Sequence, residues 1–258
     1  MTPSIGFIGG GRVARILLHG WKSAEMLPES ILVSDRNEEV LNRIAGEFPE
    51  IRTAGDDIAR VAVQDVIFLA VHPPDAAAAL EDLRGSLDRN AILVSLAPVV
   101  TIARIADMLG GFARIARVIP NAPSVVHCGY NPVVFSPSLE PKDRAVLGTL
   151  LEPLGDFFEV AEADLEAYAV ITAMGPTCLW PQLYELETIT GSFGLSPERA
   201  AQAVRKMAEG AVKTMAYADL SSDEIMDLIP VRPLGDDEST IREIYRTRLP
   251  ALYRKLKG

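Results

Sequence analysis

The pattern of apolar and polar positions changes character near residue 160. Before that point short apolar runs alternate with amphipathic stretches. Ile5–Ile8 and Ile31–Ser34 read as strands, as do residues 66–71 and 92–96, and segments 114–119 and 132–135 continue the series. The run at 66–71 is apolar throughout, as in a strand buried on both faces. Residues 13–21, 38–48, 75–87 and 101–109 carry helical spacing between these strands. Strand alternating with helix predicts a mostly parallel sheet with helices on both faces.

After residue 160 few strand-like segments remain. Residues 165–173 and 179–189 are apolar at helical spacing on either side of Gly175-Pro176. Ser196-Pro197-Glu198 is a helix start: Ser suits the N-cap, Pro the first helical position, and an acid the positive end of the dipole. Ala200, Ala201, Val204, Met207, Ala208, Ala211, Val212 and Met215 then recur on one face. That face is rich in small residues and suits close helix packing. A last helix is predicted over 240–255. The second part is therefore expected to be all-helical, with no internal repeat.

The chain has 258 residues, 48% of them hydrophobic, enough for one large or two ordinary domains with proper cores. A net charge of −10 argues against nucleic acid and anionic membrane as partners, because like charges repel. No apolar run approaches the roughly 18–20 residues of a spanning helix, and no basic stretch precedes the first apolar run, so a signal peptide is not expected. Cys128 and Cys178 form no CxxC pair, are read as inert small hydrophobes, and fit a reducing cytoplasm. His19, His72 and His127 have no metal-binding spacing, and no metal is expected.

The sharpest motif is Gly9-Gly10-Gly11-Arg12-Val13-Ala14, a G-x-G-x-x-A string between a strand and a helix. Each position has a physical task. Gly9 permits the tight turn, Gly11 lets the backbone approach a diphosphate, and Ala14 lets the helix pack close on its strand. The diphosphate would sit at the positive helix N-terminus. Asp35 closes the second strand, where an acid meets the ribose diol of NAD; its neighbour Arg36 suits the 2′-phosphate of NADP. NAD and NADP both remain open.

Further segments resemble the pyrroline-5-carboxylate reductase family, which passes hydride to a cyclic imine. Residues 6–11 are similar to its opening, Ala70-Val71-His72-Pro73 to its A-V-K-P, Ser95-Leu96-Ala97 to its S-I-A, and Arg117 through Pro123 to its R-x-M-P-N-x-P. Gly175-Pro176 falls where that family has S-G-S-G-P-A-Y. The resemblance runs from residue 4 to about residue 218. It implies a Rossmann-type doubly wound sheet, residues 1–160, followed by an all-helical dimerisation and substrate domain, residues 161–258. It implies NADP or NAD as cofactor, a small-molecule substrate and a homodimer or larger assembly. Cofactor contacts would come from Gly9, Gly11, Arg12, Val13, Ala14, Asp35, Arg36, Ala70, Val71, His72, Pro73, Ala97 and Asn121. Substrate contacts would come from Gly175, Pro176 and Thr177.

Three departures bear on the substrate. His72 replaces a lysine. Residues 173–178 lose a hydroxyl and a tyrosine of the family string. The family's neutral S-P-G-G-T-T loop has no clear counterpart; the nearest stretch carries Asp236, Asp237 and Glu238 before Ser239 and Thr240. Those acids either oppose a carboxylate substrate or cap the last helix. Thr240, Ser239 and His72 are the candidate catalytic residues. His72 is read either as an acid or ribose ligand, or as a loop residue with backbone contacts only. Asn121 is read as a nicotinamide ligand or a turn former. Trp180 and Tyr184 are read as pocket lining or, more simply, as packing. The activity expected is NAD(P)H-dependent reduction of a C=N bond, with pyrroline-5-carboxylate itself a poor substrate. The alternatives are a related reductase for a different imine or carbonyl, and a non-catalytic dinucleotide-binding dimer.

Overall fold

The computed structural model describes residues 2–257. Among them, eight strands lie in one sheet: β1 (Ile5–Ile8), β2 (Ile31–Ser34), β3 (Arg52–Thr53), β4 (Val66–Leu69), β5 (Ile92–Ser95), β6 (Ile115–Val118), β7 (Gly129–Phe135) and β8 (Gly155–Glu159). Their order across the sheet is β3-β2-β1-β4-β5-β6-β7-β8. The chain reverses its direction of winding between β1 and β4, which is where open α/β sheets bind ligands. Every neighbouring pair is parallel except β6 and β7. This is the mostly parallel sheet that the alternating pattern predicts, in the Rossmann-type arrangement that the resemblance implies.

Seven helices accompany the sheet: α1 (Arg12–Ser23), α2 (Glu38–Glu47), α3 (Ile58–Val61), α4 (Pro73–Leu83), α5 (Ile102–Met108), α6 (Pro141–Leu151) and α7 (Leu165–Tyr168). Strands β1, β2, β4, β5 and β6 are buried on both faces, so successive residues face two separate cores. One core joins Phe7, Phe68 and Val94 to Leu17, Leu18 and Trp21 of α1, Ile44 of α2 and Leu151 of α6. The other joins Ile8, Ile67, Leu69 and Leu93 to Val61 of α3, Leu80 and Leu83 of α4 and Ile105 of α5. In the first core Phe7 stacks on Phe68 with ring centres 4.9 Å apart, and Trp21 tilts against both. Arg15 of α1 grips Glu47 of α2 through two bonds, of 2.9 and 2.6 Å. The Arg15 guanidinium holds the Glu47 carboxyl below the usual carboxylate range.

Four elements of this part lie outside the expected series. β3 has two residues, too few for any period. α3 is a single turn. α6 begins at Pro141 after Glu140 and mixes apolar and polar faces weakly. β8 has its aromatics side by side at Phe157 and Phe158 between Asp156 and Glu159, so alternation is absent, and it is an edge strand paired only with β7.

The residues fall into two compact units. One runs through Ala173 and includes the segment from Tyr253; the other is Met174–Leu252. The division lies beyond residue 160 because Leu165 and Ala169 are buried in a small third core with Ile119 and Val134. Leu256 packs against the same core, and the Lys257 ammonium donates to the carbonyl of Ala163. A π-helical turn, Ala169–Met174, follows α7.

The second unit holds α8 (Pro176–Ser192), α9 (Pro197–Tyr217), α10 (Ser222–Asp227) and most of α11 (Glu238–Lys257). Its described residues include no strand, as the pattern predicts. Ser196 caps α9 by accepting a bond from the Arg199 N–H at 3.4 Å, and Ser221 and Glu224 close a reciprocal cap on α10. Ala200 and Val204 are buried, whereas Trp180, Tyr184, Phe193, Val212 and Met215 are exposed.

Phe68→Ala removes the ring between Phe7 and Trp21 at a site with no solvent access. Chemical denaturation should show a loss of about 3–5 kcal/mol. A loss below ~1 kcal/mol would mean that the stacked trio does not hold α1 to the sheet.

Candidate cofactor site

β1 stops at Ile8 and α1 starts at Arg12, so the intervening glycines make the whole turn. Gly9 has φ +95°, and a Cβ there would lie 2.8 Å from the Ala70 carbonyl oxygen. Both facts demand glycine. Gly11 is different. Its φ is −69°, which any residue adopts, and a Cβ would meet nothing within 4 Å. The protein itself gives no reason for glycine at 11. The open space in front of it is the N-terminus of α1, where unpaired N–H groups and the dipole favour an anion. The turn therefore fits a dinucleotide's diphosphate, which Gly9, Gly11, Arg12 and Val13 could hold, and Ala14 is fully buried behind it.

Asp35 follows β2 and reaches back to this turn. Its Oδ2 accepts the Gly10 N–H at 2.8 Å and its Oδ1 accepts the Asn37 N–H at 2.9 Å. Asn37 in turn caps α2 through the Glu39 N–H. Two backbone donors thus pin the carboxylate at the edge of the turn. Arg36 pairs with Asp82 at 3.0 Å, but both side chains are at least half exposed, so the pair is weak and screened.

The carboxyl ends of β1, β4 and β5 are tied in register. The Ala70 N–H donates to Ile8 O at 2.8 Å, and the Leu96 N–H donates to Leu69 O at 3.0 Å. Ala70 and Ala97 are buried beside these exits. His72 is exposed and forms the N-cap of α4 with its backbone carbonyl, while its imidazole makes no capping bond. Pro73 takes the first helical position. Asn121 is buried, and its amide is committed to the backbone of Tyr130: Nδ2 donates to the carbonyl at 2.8 Å and Oδ1 accepts the N–H at 3.3 Å. Its side chain joins the exit of β6 to β7.

The remaining candidates lie in the other unit. Gly175 precedes α8, Pro176 opens it, and the Thr177 hydroxyl donates to Met174 O at 2.6 Å. Ser239 and Thr240 are exposed on the first turn of α11. Asp236 and Asp237 form a 3₁₀ turn just before it, and Glu238 pairs with Arg242 at 2.7 Å. A hollow of ≈ 530 Å³ beside them is lined by Asp223, Glu224, Asp227, Glu238, Arg232 and Arg242. Arg232 is spent on the Met226 carbonyl and Arg242 on Glu238. Cys128 is exposed rather than buried as a small hydrophobe would be. No group of His, Cys, Asp or Glu among the described residues is arranged to hold a metal ion, and no helix there is long and apolar enough to cross a membrane.

Fold and turn together define a Rossmann-type nucleotide-binding architecture followed by a helical unit. Residues 4–98 match the family model described as NADP oxidoreductase, coenzyme F420-dependent. The whole chain is similar to pyrroline-5-carboxylate reductases. That of Corynebacterium melassecola is 28% identical over 244 residues, covering 93% of this chain and 90% of that protein. That of Pseudomonas aeruginosa is 26% identical over 252 residues, covering 97% and 92%. Among solved structures, the pyrroline-5-carboxylate reductase of Coxiella burnetii superposes with a TM-score of 0.75 at 25% identity, covering 100% of this chain and 98% of that one. The Plasmodium falciparum pyrroline carboxylate reductase with NADP bound gives 0.80 at 21% identity, covering 99% and 97%. These comparisons agree with the resemblance carried by the motifs.

Gly11→Val should leave the fold intact, because its Cβ meets no protein atom, yet block the approach to the helix N-terminus. Calorimetry should show that nicotinamide dinucleotide affinity falls beyond about 1 mM, with stability within about 0.5 kcal/mol of the parent chain. Unchanged affinity would remove the diphosphate from this turn.

Proposed function

We propose that the chain is an NAD(P)H-dependent reductase acting on a C=N bond, in a cyclic imine or a related acceptor. The observation that carries this reading is the glycine turn, whose Gly11 position leaves open the space a diphosphate would fill. Similarity to pyrroline-5-carboxylate reductases over more than nine-tenths of the chain supports it. Gly9, Gly11, Arg12, Val13 and Ala14 would hold the diphosphate. Asp35 and Arg36 would meet the adenosine ribose, while Ala70, Val71, His72, Pro73, Ala97 and Asn121 would border the nicotinamide half.

When bound, reduced nicotinamide would supply a hydride for the electrophilic carbon, and the nitrogen would take up a proton to give the amine. The chain's own residues orient and desolvate the acceptor. Thr240 and Ser239 are the candidate donors of a hydrogen bond to the nitrogen, His72 is the candidate acid, and Gly175, Pro176 and Thr177 are candidate substrate contacts. The Asp35 carboxylate, pinned at the turn by Gly10 and Asn37, favours a ribose diol over a second phosphate; Arg36, loosely paired with Asp82, tempers that preference. ADP-ribose should therefore bind at least as tightly as its 2′-phosphate in calorimetry, and Asp35→Ser should shift the balance toward the phosphate by about tenfold, or ~1.4 kcal/mol. A strong preference of the parent chain for the phosphate would overturn this role for Asp35.

One observation favours an acceptor other than pyrroline-5-carboxylate. Asp236, Asp237 and Glu238 stand directly before Ser239 and Thr240, and both nearby arginines are already engaged. A carboxylate brought there meets an excess of like charge: Asp223, Glu224, Asp227 and Glu238 line the hollow beside Arg242, which is paired with Glu238, and Arg232, which is held on a backbone carbonyl. Cofactor oxidation assays should then give kcat/KM for pyrroline-5-carboxylate below about 10⁴ M⁻¹s⁻¹, with a neutral cyclic imine turned over faster. The reverse order restores the plain activity of the relatives; no turnover of any imine or carbonyl favours the non-catalytic dimer.

The exposed apolar residues of α8 and α9 support a homodimer or larger assembly. We place it in the cytoplasm, in keeping with two cysteines left unpaired. Light scattering at micromolar concentration should give at least twice the 27.9 kDa of one chain. A single-chain mass would exclude the assembly.

A further inference from the structure

Arg117 is buried in the middle of the sheet region, with 1% of its side chain exposed. Its Nη1 reaches Glu162 Oε1 at 2.9 Å and its Nη2 reaches Glu166 Oε1 at 2.7 Å. Glu166 is also buried. Glu162 keeps a third of its side chain exposed, but burying the Arg117 and Glu166 charges is expensive, and a packed apolar pair is often as stable or more so, so stability alone does not account for them. The two carboxylates do something further. Glu162 Oε1 accepts the Ile102 N–H at 2.8 Å and so ties down the first turn of α5. Glu166 Oε1, the atom that holds Arg117, also accepts the Val99 N–H at 3.3 Å.

Val99 is the anomaly. It has φ +81°, a left-handed conformation that a β-branched side chain strongly resists. It follows Pro98 in the turn after β5, two residues beyond buried Ala97. Such strain persists only where surrounding structure over-determines it. Here the determinant is visible: a buried carboxylate, itself fixed by Arg117, holding the Val99 N–H. The place matters too. Asp35 lies on the β2 side of the glycine turn, so the adenosine half belongs to that side. The exits of β4 and β5 lie on the opposite side of β1. The Ala97-Pro98-Val99 turn thus borders the nicotinamide half.

We propose that Glu166, held by Arg117, is a positioning residue that fixes the Pro98-Val99 turn in its left-handed form and thereby orders the nicotinamide half of the cofactor site. This rests on the reading of the chain as an NAD(P)H-dependent reductase. Glu166 touches neither cofactor nor acceptor; it acts through the backbone of Val99.

The test separates the two halves of the cofactor. ADP-ribose probes the adenosine and diphosphate side alone. The reduced dinucleotide that binds the parent chain more tightly probes both, and its nicotinamide fluorescence reports the ring's surroundings. Glu166→Ala should weaken the reduced dinucleotide about tenfold, the scale of one ordering hydrogen bond, and return the fluorescence toward that of free cofactor. ADP-ribose affinity should not change. Glu166→Gln keeps an acceptor for the Val99 N–H and should restore most of the loss. Val99→Gly in the Glu166→Ala background should also restore it, because glycine adopts φ +81° unaided. A purely structural role for Glu166 predicts no rescue by Val99→Gly.

Should Glu166→Ala not fold, Val99→Gly alone remains informative. Relief of strain should raise the Tm by ~2–4 °C. A lower Tm would show that the turn stores no strain and would overturn the proposal. Equal weakening of ADP-ribose and reduced dinucleotide, or failure of Val99→Gly to rescue, would overturn it as well. A parent chain that binds the reduced dinucleotide, with Glu166→Ala binding it equally well, would overturn this proposal alone; a parent chain that binds no nicotinamide form would take the reductase reading with it.

Discussion

The carboxyl edge of the sheet is held in one arrangement by the close passage of the Gly9 backbone over the exit of β4. Nothing larger than a hydrogen fits between Gly9 and the Ala70 carbonyl. That approach lets the Gly9 N–H reach Ser34 O at 2.8 Å and the Ala70 N–H reach Ile8 O at the same distance. The exits of β2, β1, β4 and β5 therefore follow one another as a continuous backbone ladder. Side chains contribute little to it directly. They act from below, where Phe7 and Phe68 stack and Trp21 wedges α1 against them. The edge is rigid because the layer beneath it is dry and close-packed.

Much of this is local, and local structure is legible in sequence. The strand, glycine turn and helix at residues 5–23 are adjacent along the chain, so motif and geometry coincide. The buried strands show as unbroken apolar runs. Elements that lack a period were not legible: β3 is too short, and β8 has paired rather than alternating aromatics. The outer limit of the sheet-bearing unit is unmarked in the pattern for a related reason. Leu165 and Ala169 carry helical spacing like everything after them, and only their burial against Ile119 and Val134 assigns them to the sheet-bearing unit.

The candidate site divides the same way. Gly9, Gly11 and Asp35 are readable because a turn and the end of a strand need particular residue types. The Arg117–Glu162–Glu166 cluster is not. Its members come from a strand and from a helical turn some 45 to 49 positions away, and their bonds reach back to Val99 and Ile102 across 60 or more. An isolated Glu in an amphipathic segment looks like solvent-facing polarity. Asn121 shows the converse: a residue picked out by its motif has its polar atoms turned inward, toward Tyr130. The acids at 236–238 bear two meanings at once, since a helix start welcomes negative charge whatever lies nearby.

The sheet-bearing unit is completed by residues from Tyr253 onward, with Leu256 packed on the small third core and Lys257 bonded to Ala163. Both ends of the second unit are thus tethered, and it is topologically an insertion. The residues that close the sheet-bearing unit follow the whole insert along the chain, so its small third core cannot be completed until the insert has been made. Vectorial, N-terminus-first folding is the usual order for multidomain chains; here the unit begun first waits on a segment that lies beyond the second.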